Sequence, residues 1–380
     1  MKNLFYFDWR TWWAMVRLVG TEQDPYRRRR QYRTLCVVVP AMALLHTVTF
    51  ALDPIVFPVL RRTEVRKPVF VLGHARSGTT YLHRMLANDP RFSYVLLWEM
   101  FFPSLIEKKL LRAVLRWDQR FGGRLRRRID ALDERLFAKS NQVHESGLFA
   151  PEEDEFLLTM SCASGYWVVQ YPQAQHLDFY YVDDRWSVPK RRRVMQFYRE
   201  CVRRQLVLNG PGKTHLSKAP IHCGRVQSLI DTFPDARFVV PVRNPYETIP
   251  SFLKLMQFAW SARKQSEADM QASFRSFVES SYHYYQHPLE VLDANPEVPS
   301  AILNYSDLVT DPAGTMHSVY DEIELEMVPE QERALAAEKG REYRSGHTYS
   351  LEEFGLEADG IRTHLASLFD RFGWESESVG

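Results

Sequence analysis

The sequence predicts an α/β fold in which a central, mainly parallel sheet is flanked by helices. Three short apolar runs predict its strands, at 68–73, 238–242 and 301–305. The first run ends at Gly73 and leads into a helical stretch around Tyr81 to Leu86, and helical stretches also precede and follow the second run. Because strands that alternate with helices form parallel sheets, a functional site is expected in the loops at the carboxyl ends of these strands.

Length and composition are those of an ordinary globular protein. The 380 residues are 45% hydrophobic and 25% charged, and the formal net charge is +2. This small charge gives no overall field that would attract a polyanion, and the run from Arg124 to Arg128 lies at helical spacing among leucines and acidic residues, which predicts a solvated helix face. No nucleic-acid partner is therefore predicted.

We predict two regions, an N-terminal helical, hydrophobic extension (1–64) and a larger domain (65–380).

The N-terminal extension contains a long apolar segment. Between Arg33 and Arg61 the chain is almost uncharged, and about eighteen residues precede Asp53, which is the lower limit for a helix that spans a bilayer. Pro40 weakens a clean span, while the arginines and tryptophans before the segment suit a membrane surface. Three alternatives stay open: the segment spans a membrane, lies on a membrane, or packs on the body of the protein.

The N-terminus and the cysteines bear on localisation. Aromatic residues precede the basic run and no small-residue cleavage site follows it, so no cleaved export signal is predicted. The four cysteines form no CxxC pair and do not cluster with histidine at metal-ligand spacing, which indicates neither a disulfide framework nor a zinc site. These features predict a cytoplasmic protein that is either free or associated with a membrane through residues 1–60.

The loop from Gly73 to Thr80 has the G-x-x-x-x-G spacing of a phosphate-binding loop. Such a loop surrounds a phosphate with backbone N–H groups and the N-terminus of the following helix. The lysine of the nucleotide triphosphatase loop is missing, and a different cation, Arg76, lies inside the loop. The second strand runs into Arg243, where a triphosphatase usually has a magnesium-binding aspartate. Both departures predict a phosphate site without a metal.

Two segments of the chain resemble those of a known family. VFVLGHARSGTTYLHRML resembles the 5′-phosphosulfate loop of sulfotransferases, and PDARFVVPVRNPYETIPSF resembles their 3′-phosphate segment. The second segment contains Arg243 and, eight residues later, Ser251, at the positions that in this family bind the 3′-phosphate together. The resemblance implies a P-loop-like sulfotransferase fold and the co-substrate 3′-phosphoadenosine 5′-phosphosulfate (PAPS), with no metal.

The arginine inside the loop and the segment HLSKAPIH are more similar to the tyrosylprotein and bacterial sulfotransferases than to the cytosolic ones. In that comparison Lys218 takes the place of the lysine that contacts the bridging oxygen of the bond that breaks. A C-terminal similarity, GHTYSLEEFGL, implies that Arg344 belongs to a basic loop for the 3′-phosphate. The donor-binding residues implied by the resemblance are Gly73, Arg76, Ser77, Gly78, Thr79, Thr80, Lys218, Arg243, Ser251 and Arg344.

A general base is required, because an alcohol acceptor is a poor nucleophile near neutral pH. Glu99 follows the phosphate loop at a place similar to the catalytic glutamate of tyrosylprotein sulfotransferases, although two residues later, and its aromatic neighbours would partly desolvate it. His222 and His215 are competing bases, and the structural alternative for Glu99 is a cap or a pair with an arginine. The residues expected in catalysis are Glu99, Lys218, Arg76 and His222.

The acceptor is predicted only by class. We expect a small molecule, lipid or carbohydrate with a hydroxyl or an amine, and the membrane-favouring N-terminus slightly favours an amphiphilic alcohol. The sequence predicts no oligomeric state. Two alternatives remain, a metal-dependent P-loop kinase or NTPase, which would need the missing loop lysine, and a non-catalytic membrane-associated scaffold with a degenerate loop. The presence of Arg76, Lys218, Arg243 and Ser251 argues against the scaffold.

Overall fold

The structure, a computed structural model, describes residues 4–137, 147–261, 265, 267–338 and 350–374. The chain folds into two compact units, each assembled from separate stretches of sequence. The first unit contains Met1–Val65, Ser93–Trp167 and Val188–His215, and the second contains Arg66–Phe92, Val168–Ser187 and Leu216–Gly380. The phosphate loop belongs to the second unit, and the long apolar segment belongs to the first.

The first half of the chain is mainly helical. Its elements are α1 (Trp9–Val19), α2 (Pro25–Arg33), α3 (Val39–Val56), β1 (Val69–Val71), α4 (Thr79–Ala87), β2 (Phe92–Ser93), α5 (Leu97–Met100), α6 (Leu105–Arg120), α7 (Arg124–Phe137), α8 (Tyr166–Gln170), α9 (Val182–Arg185) and α10 (Val188–Asn209). The second half contains β3 (Thr214–Lys218), α11 (Val226–Thr232), β4 (Arg237–Val242), α12 (Pro245–Ser261), α13 (Glu267–Asp293), β5 (Ser300–Asn304), α14 (Tyr305–Thr310), α15 (Pro312–Glu322), α16 (Pro329–Glu338), α17 (Ala358–His364) and α18 (Ala366–Phe372).

The five strands form one sheet in the order β2-β3-β1-β4-β5. β1 pairs in parallel with both β3 and β4, and β4 pairs in parallel with β5. The predicted α/β class with a parallel sheet and a helical N-terminal region is therefore confirmed. The chain places β2 and β3 on one side of β1 and β4 and β5 on the other, so the strand order reverses between β1 and β4. Ligands of open α/β sheets bind at such a switch point.

Three of the five strands were predicted, at nearly their observed bounds. The third ends one residue earlier than expected, because Tyr305 begins α14 and the side chain of Asn304 caps that helix by accepting from the N–H of Ser306. β2 has two residues, too few for a sequence pattern. β3 reads THLSK, in which Leu216 is the only aliphatic residue, so it lacks the apolar run typical of a buried parallel strand.

The hydrophobic core of the second unit lies between the sheet and the helices α4, α14, α15 and α16. Its fully buried members include Val69 and Val71 of β1, Leu82 and Leu86 of α4, and Tyr320 of α15. All three residues of β1 are buried, as expected for the central strand of a sheet covered on both faces. This packing fixes the strand ends from which the loops of the site emerge.

In the first unit, α2 and α3 form one helical run from Pro25 to Val56, joined by a π-helical turn at Thr34–Val38. Pro40 explains the widened turn, since its ring would clash with a carbonyl of the preceding turn and it has no N–H to donate. Among the described residues this run is the one candidate that is long and apolar enough to cross a membrane, judged by length and composition alone.

One face of α3 is tied to the rest of its unit by buried charges. Asp53 accepts from Nε of Arg204 on α10 at 2.7 Å and from the backbone N–H groups of Leu105 and Ile106 at 2.9 Å, which caps α6. His46 lies 2.8 Å from Glu107 of α6. Asp53, Arg204 and His46 are fully buried. Removing one partner of such a pair would leave an uncompensated charge, at a cost of about 3–5 kcal/mol.

Candidate active site

The phosphate loop joins β1 to α4 and makes two very close backbone contacts. At Gly73, where φ is 153°, a Cβ would lie 2.7 Å from the carbonyl oxygen of Pro241 in β4. At Gly78, the N-cap of α4 with φ 88°, a Cβ would lie 2.5 Å from the ring of Tyr305. Both positions therefore require glycine. The loop backbone lies against β4 and the Tyr305 ring with no side chain between them.

Arg76 connects the loop to the segment that follows β4. Its backbone is left-handed, with φ 74°, and its Nε donates a hydrogen bond to Oγ of Ser251 on α12 at 3.1 Å. Left-handed backbone is uncommon for a residue with a side chain and occurs often at ligand sites. The sequence suggested these two residues for opposite ends of one donor, and the structure brings their side chains together.

The remaining loop residues lie at the start of α4. Ser77 and Thr79 are buried and Thr80 is half-buried. The N–H groups of the first turn of a helix have no partner within the helix, so they are available to an anion together with the two threonine hydroxyls. The loop thus combines backbone donors, hydroxyls and the guanidinium of Arg76, as the sequence predicts for a phosphate site.

His74 fixes the conformation of the loop. Its Nδ1 lies 2.6 Å from the carbonyl oxygen of Ala75 and its Nε2 lies 2.9 Å from Oγ of Ser281 on α13. The ring stacks on Tyr285, whose hydroxyl donates to the carbonyl oxygen of Arg243 at 2.8 Å. Burial lowers the pKa of His74 to about 4, so the ring is neutral at pH 7. Because the Ala75 carbonyl can only accept, Nδ1 carries the proton.

Arg243 follows β4 and is held on two sides. Its Nε donates to Glu247 one turn further along α12 at 3.0 Å, and its guanidinium carbon lies 4.5 Å from the centre of the Tyr305 ring. Tyr305 therefore contacts both halves of the site, Gly78 of the loop and Arg243. Sequence reasoning did not single out Tyr305. The signal was present, since the predicted third strand ended there and ligands of parallel sheets lie at strand ends.

Lys218 ends β3, in register with Val71 of β1, and is almost completely buried. Gly73 follows Val71 by two residues, so Lys218 and the phosphate loop leave the sheet at the same edge. His222 lies in the 3₁₀ turn Pro220–Arg225 that comes next, fully buried, with its ring 6.1 Å from that of Phe70.

Four neighbouring strands thus contribute to one edge of the sheet in the second unit. Lys218 ends β3, the phosphate loop follows β1, Arg243 follows β4, and Tyr305 follows β5. Three cations, Arg76, Lys218 and Arg243, come from three separate strand ends. Such a concentration of positive charge, backbone N–H groups and hydroxyls suits a ligand with more than one phosphate or sulfate group.

Glu99 belongs to the first unit and is engaged in a buried network. Its Oε1 accepts from Arg112 at 2.6 Å, and its Oε2 accepts from Nε2 of Gln205 at 2.7 Å and from the N–H of Leu96 at 3.1 Å. The carboxylate therefore caps α5 and pairs with an arginine, which is the structural alternative that its sequence context left open. Its role as a general base stays a prediction.

His215, the other histidine near Lys218 in the sequence, forms a buried dyad in the first unit. Its Nε2 lies 2.8 Å from Oδ2 of Asp154, which also accepts from the hydroxyl of Tyr198 at 2.5 Å. Within the described part of the chain, Nδ1 of His215 has no hydrogen-bond partner. Arg344, the remaining predicted donor contact, lies outside the described residues.

One group of side chains in the second unit has ligand atoms of the type that metals bind. The ligand atoms of Asp184 on α9 and of His283 and His287 on α13 lie within 4.8 Å of one another. These side chains already pair, since His283 lies 3.4 Å from Asp184 and His287 lies 3.1 Å from Asp183. Burial lowers the pKa of His283 to about 4.

Comparison with known proteins agrees with this architecture. Residues 68–330 match the sulfotransferase family. Two curated relatives, the omega-hydroxy-beta-dihydromenaquinone-9 sulfotransferases Stf3 of Mycobacterium tuberculosis and Mycobacterium bovis, are each 25% identical over 321 residues, which cover 81% of this chain and 75% of the relative.

Two crystal structures support the fold. Sulfotransferase STF9 from Mycobacterium avium has a TM-score of 0.75 at 21% identity, with 98% of this chain and 94% of that chain covered. Sulfotransferase STF1 from M. tuberculosis has a TM-score of 0.61 at 21% identity, with 97% and 100% covered. Because the family match extends over more than half of the residues, the chain belongs to the sulfotransferase family and is an enzyme of sulfuryl transfer.

Proposed function

We propose that this enzyme transfers the sulfuryl group of PAPS to the hydroxyl of an amphiphilic, lipid-like acceptor. The observation that carries the donor assignment is the hydrogen bond from Arg76 to Ser251. It joins a loop suited to a 5′-phosphosulfate with a segment suited to a 3′-phosphate, and PAPS carries both groups on one nucleotide. A nucleoside triphosphate has no 3′-phosphate and would leave Arg243 and Ser251 without a ligand.

The residues of the site fit this donor. Gly73 and Gly78 leave the loop backbone free of side chains, so that its N–H groups can approach the 5′-phosphosulfate. Arg243 supplies a cation for the 3′-phosphate, and Tyr305 presents an aromatic ring between the two phosphate positions. PAPS supplies an activated sulfuryl group; the acceptor oxygen forms the new bond to sulfur as the bond from sulfur to the phosphate oxygen breaks.

Arg76 and Lys218 supply the positive charge that sulfuryl transfer needs at the leaving phosphate. Negative charge develops on the phosphate oxygen that leaves, and fixed cations and N–H groups in a dry site stabilise it. Lys218 is buried at the strand end beside the loop, so its ammonium is held where little water competes. We assign it to the bridging oxygen, and we expect the loss of its charge to lower kcat by about 10²–10³-fold.

The proton of the acceptor hydroxyl must go to a general base. We propose Glu99 first, as the sequence suggests, and His222 second. The Oε1 of Glu99 accepts one hydrogen bond, from Arg112, and keeps a second lone pair, whereas its Oε2 already accepts two. His222 follows Lys218 by four residues and belongs to the same unit as the donor residues. The two alternatives make different predictions, which are argued below.

The proposed acceptor class follows from two observations. The curated relatives are named for an ω-hydroxylated menaquinone, an amphiphilic alcohol. The first unit of this chain exposes large apolar side chains on α3, α6 and α7, which favours a substrate that resides in or on a membrane. A hydroxyl at the end of an apolar molecule is therefore the acceptor that we expect, in preference to a soluble sugar.

A label-transfer assay tests this proposal. The full chain is incubated with ³⁵S-labelled PAPS and either detergent-solubilised menaquinol bearing an ω-hydroxyl or a soluble monosaccharide, with and without EDTA. We expect transfer to the lipid alcohol that EDTA does not reduce, and transfer that is slower by about 10²–10³-fold with Lys218→Ala. Turnover of ATP only with magnesium would overturn the donor assignment in favour of a P-loop kinase, and transfer to the sugar alone would overturn the acceptor class.

A further inference from the structure

The buried face of α3 shows that this helix is not surrounded by lipid. Its contacts to Glu107 and Arg204 tie it to α6 and α10, and α6 carries several charged residues of its own. A position across a bilayer would draw the buried Asp53, Arg204 and Glu107 and the other charges of α6 into the hydrocarbon region, which is strongly unfavourable. The charged face must therefore remain with the protein.

The opposite face of α3 is apolar and uncovered. Every exposed position of the helix except Thr47 is apolar. Five of them follow helical spacing along one side, Leu44, Val48, Leu52, Ile55 and Val56, and Val37 in the preceding turn extends the stripe. Leu44 and Ile55 are 68% and 65% exposed, values usual for polar surface residues and unusual for a run of aliphatic ones. Single exposed apolar residues are ordinary, but a continuous stripe indicates an interaction surface.

The hairpin of α6 and α7 presents a second apolar stripe in the same unit. The exposed large apolar residues of α6 are Leu110, Val114 and Trp117, and Phe121 follows at its C-cap, at spacings of four, three and four; α7 adds Leu125 and Leu132. The hairpin begins beside the end of α3, since Nζ of Lys109 lies 4.7 Å from the centre of the Phe57 ring. This stripe lies outside the N-terminal extension, so the apolar surface is wider than the sequence suggested.

Cationic residues border both stripes. Residues 25–62 contain seven arginines and a single acidic residue, the buried Asp53. Residues 105–135 contain ten basic and five acidic residues. Two copies of such a surface would repel each other, whereas an anionic membrane would attract it. The exposed indole rings of Trp9, Trp13 and Trp117 are of the type enriched at the boundary between headgroups and acyl chains.

We propose that α3 and the α6–α7 hairpin form a monotopic membrane-binding face that lies in the plane of an anionic bilayer. The apolar stripes enter the boundary between headgroups and acyl chains, and the flanking arginines bind the phosphates of the headgroups. The polypeptide does not cross the bilayer. This inference does not rest on the proposed donor or acceptor, since it is carried by surface composition in the first unit alone.

Vesicle binding of the purified full chain tests the proposal. We expect flotation with phosphatidylcholine vesicles that contain about 30% phosphatidylglycerol, weaker flotation with phosphatidylcholine alone, and release as salt is raised towards about 1 M. Leu44→Asp and Trp117→Glu, one on each stripe, should each lower the partition coefficient by about tenfold or more. Val188→Asp is the matched control, because Val188 is an exposed apolar residue of the same unit at the start of α10.

Four outcomes would overturn the inference. One is the absence of wild-type binding to anionic vesicles, and another is equal binding by wild type, Leu44→Asp and Trp117→Glu. The third is resistance of vesicle-bound protein to alkaline carbonate, which would indicate a spanning helix. A wild-type dimer that Leu44→Asp dissociates would instead assign the surface to a second copy of the chain. Thermal unfolding of each variant confirms that it is folded, and none of these readouts depends on sulfuryl transfer.

Discussion

The Nε of Arg76 donates a hydrogen bond to the Oγ of Ser251 across 3.1 Å, although the two residues are 175 positions apart in the sequence. Arg76 belongs to the loop after β1, and Ser251 belongs to the helix after β4, the strand that pairs with β1. The bond spans the point at which the strand order of the sheet reverses. The contacts proposed for the two ends of the donor would therefore be coupled through a direct hydrogen bond.

This coupling predicts different binding defects for Arg243→Ala and Ser251→Ala. Arg243→Ala should weaken binding of 3′-phosphoadenosine 5′-phosphate by about tenfold or more, since a charge-assisted contact is lost, and should leave binding of AMP nearly unchanged. Ser251→Ala removes the partner of Arg76 and should weaken binding of both ligands. Isothermal titration calorimetry with each nucleotide measures the effect.

Ser280→Ala is the control for these two variants. Its hydroxyl is buried in the same unit and bonds only the carbonyl oxygen of Phe277 among the contacts observed for it, so both affinities should be retained. Equal losses for the two nucleotides in Arg243→Ala would contradict the assignment of Arg243 to the 3′-phosphate.

Gly78→Ala should abolish donor binding because of a steric clash. The positive φ at this position would not abolish binding by itself. The new Cβ would lie 2.5 Å from the Tyr305 ring, so the loop or the ring must move. Gly373 is the control position. It has a similar positive φ, 63°, and a Cβ there would have no atom within 4 Å. We expect the Gly373 variant to lose about 1 kcal/mol of stability and no donor affinity. Fluorescence titration with the nucleotide separates the two variants; unaltered affinity in Gly78→Ala would show that the loop does not bind the donor.

The sequence predicts the phosphate loop and Arg243 because both belong to short patterns, glycines at fixed spacing and a cation directly after an apolar strand. Tyr285 and Ser281 could not be found in this way. They lie on the long helix α13 and reach the site only because that helix packs against the loop, where they hold His74. Such contacts depend on the tertiary arrangement, which no local pattern contains.

The apolar stripes illustrate a second limit of sequence reasoning. Helical spacing of Leu110, Val114 and Trp117 indicates an amphipathic helix, but periodicity does not indicate what covers the apolar side. In most proteins the rest of the chain covers it. The structure leaves this side exposed on α6, as it does on α3. The buried Asp53 shows the same limit, because no local pattern indicates that its partner, Arg204, lies on a distant helix of the same unit.

His74 predicts a dependence of stability on pH. Burial holds its pKa at about 4, below the value of 6.5 expected in the unfolded chain. Between these values the unfolded state binds a proton that the folded state does not. The contribution of His74 to the free energy of unfolding is therefore complete above about pH 6.5 and falls as the pH falls towards 4. The free energy of unfolding should lose about 3 kcal/mol over this range from His74.

Urea unfolding of wild type and His74→Gln between about pH 7.5 and 4.5 isolates this contribution, because all other groups titrate in both proteins. The variant should be less stable than wild type at neutral pH, because the contacts to Ala75 and Ser281 are altered. It should also lose less stability than wild type on acidification. His317→Gln, at an exposed position, should retain the wild-type slope. Parallel curves for wild type and His74→Gln would contradict a buried neutral ring.

Glu99→Gln distinguishes catalysis from structure. The substitution replaces one acceptor oxygen by an NH₂ group, which can only donate, although Gln205 and the Leu96 N–H both donate to this side chain. It also removes the negative charge beside Arg112. A stability loss of about 1–3 kcal/mol is expected in either case. If Glu99 is the base, kcat of the folded enzyme should also fall by about 10²–10⁴-fold with donor affinity retained.

Glu107→Gln is the matched control for that measurement. Glu107 is also a buried carboxylate of the first unit with several hydrogen bonds, to His46 and Thr49 on α3, and it has no proposed contact with substrate. It should lose stability and keep its kcat when both variants are assayed well below their unfolding temperatures. If Glu99→Gln behaves in the same way, the carboxylate has only a structural role and the base is a histidine, with His222 tested before His215. In that case His222→Gln should show the loss of kcat with donor affinity retained, because the buried turn after β3 would then supply the group that accepts the proton.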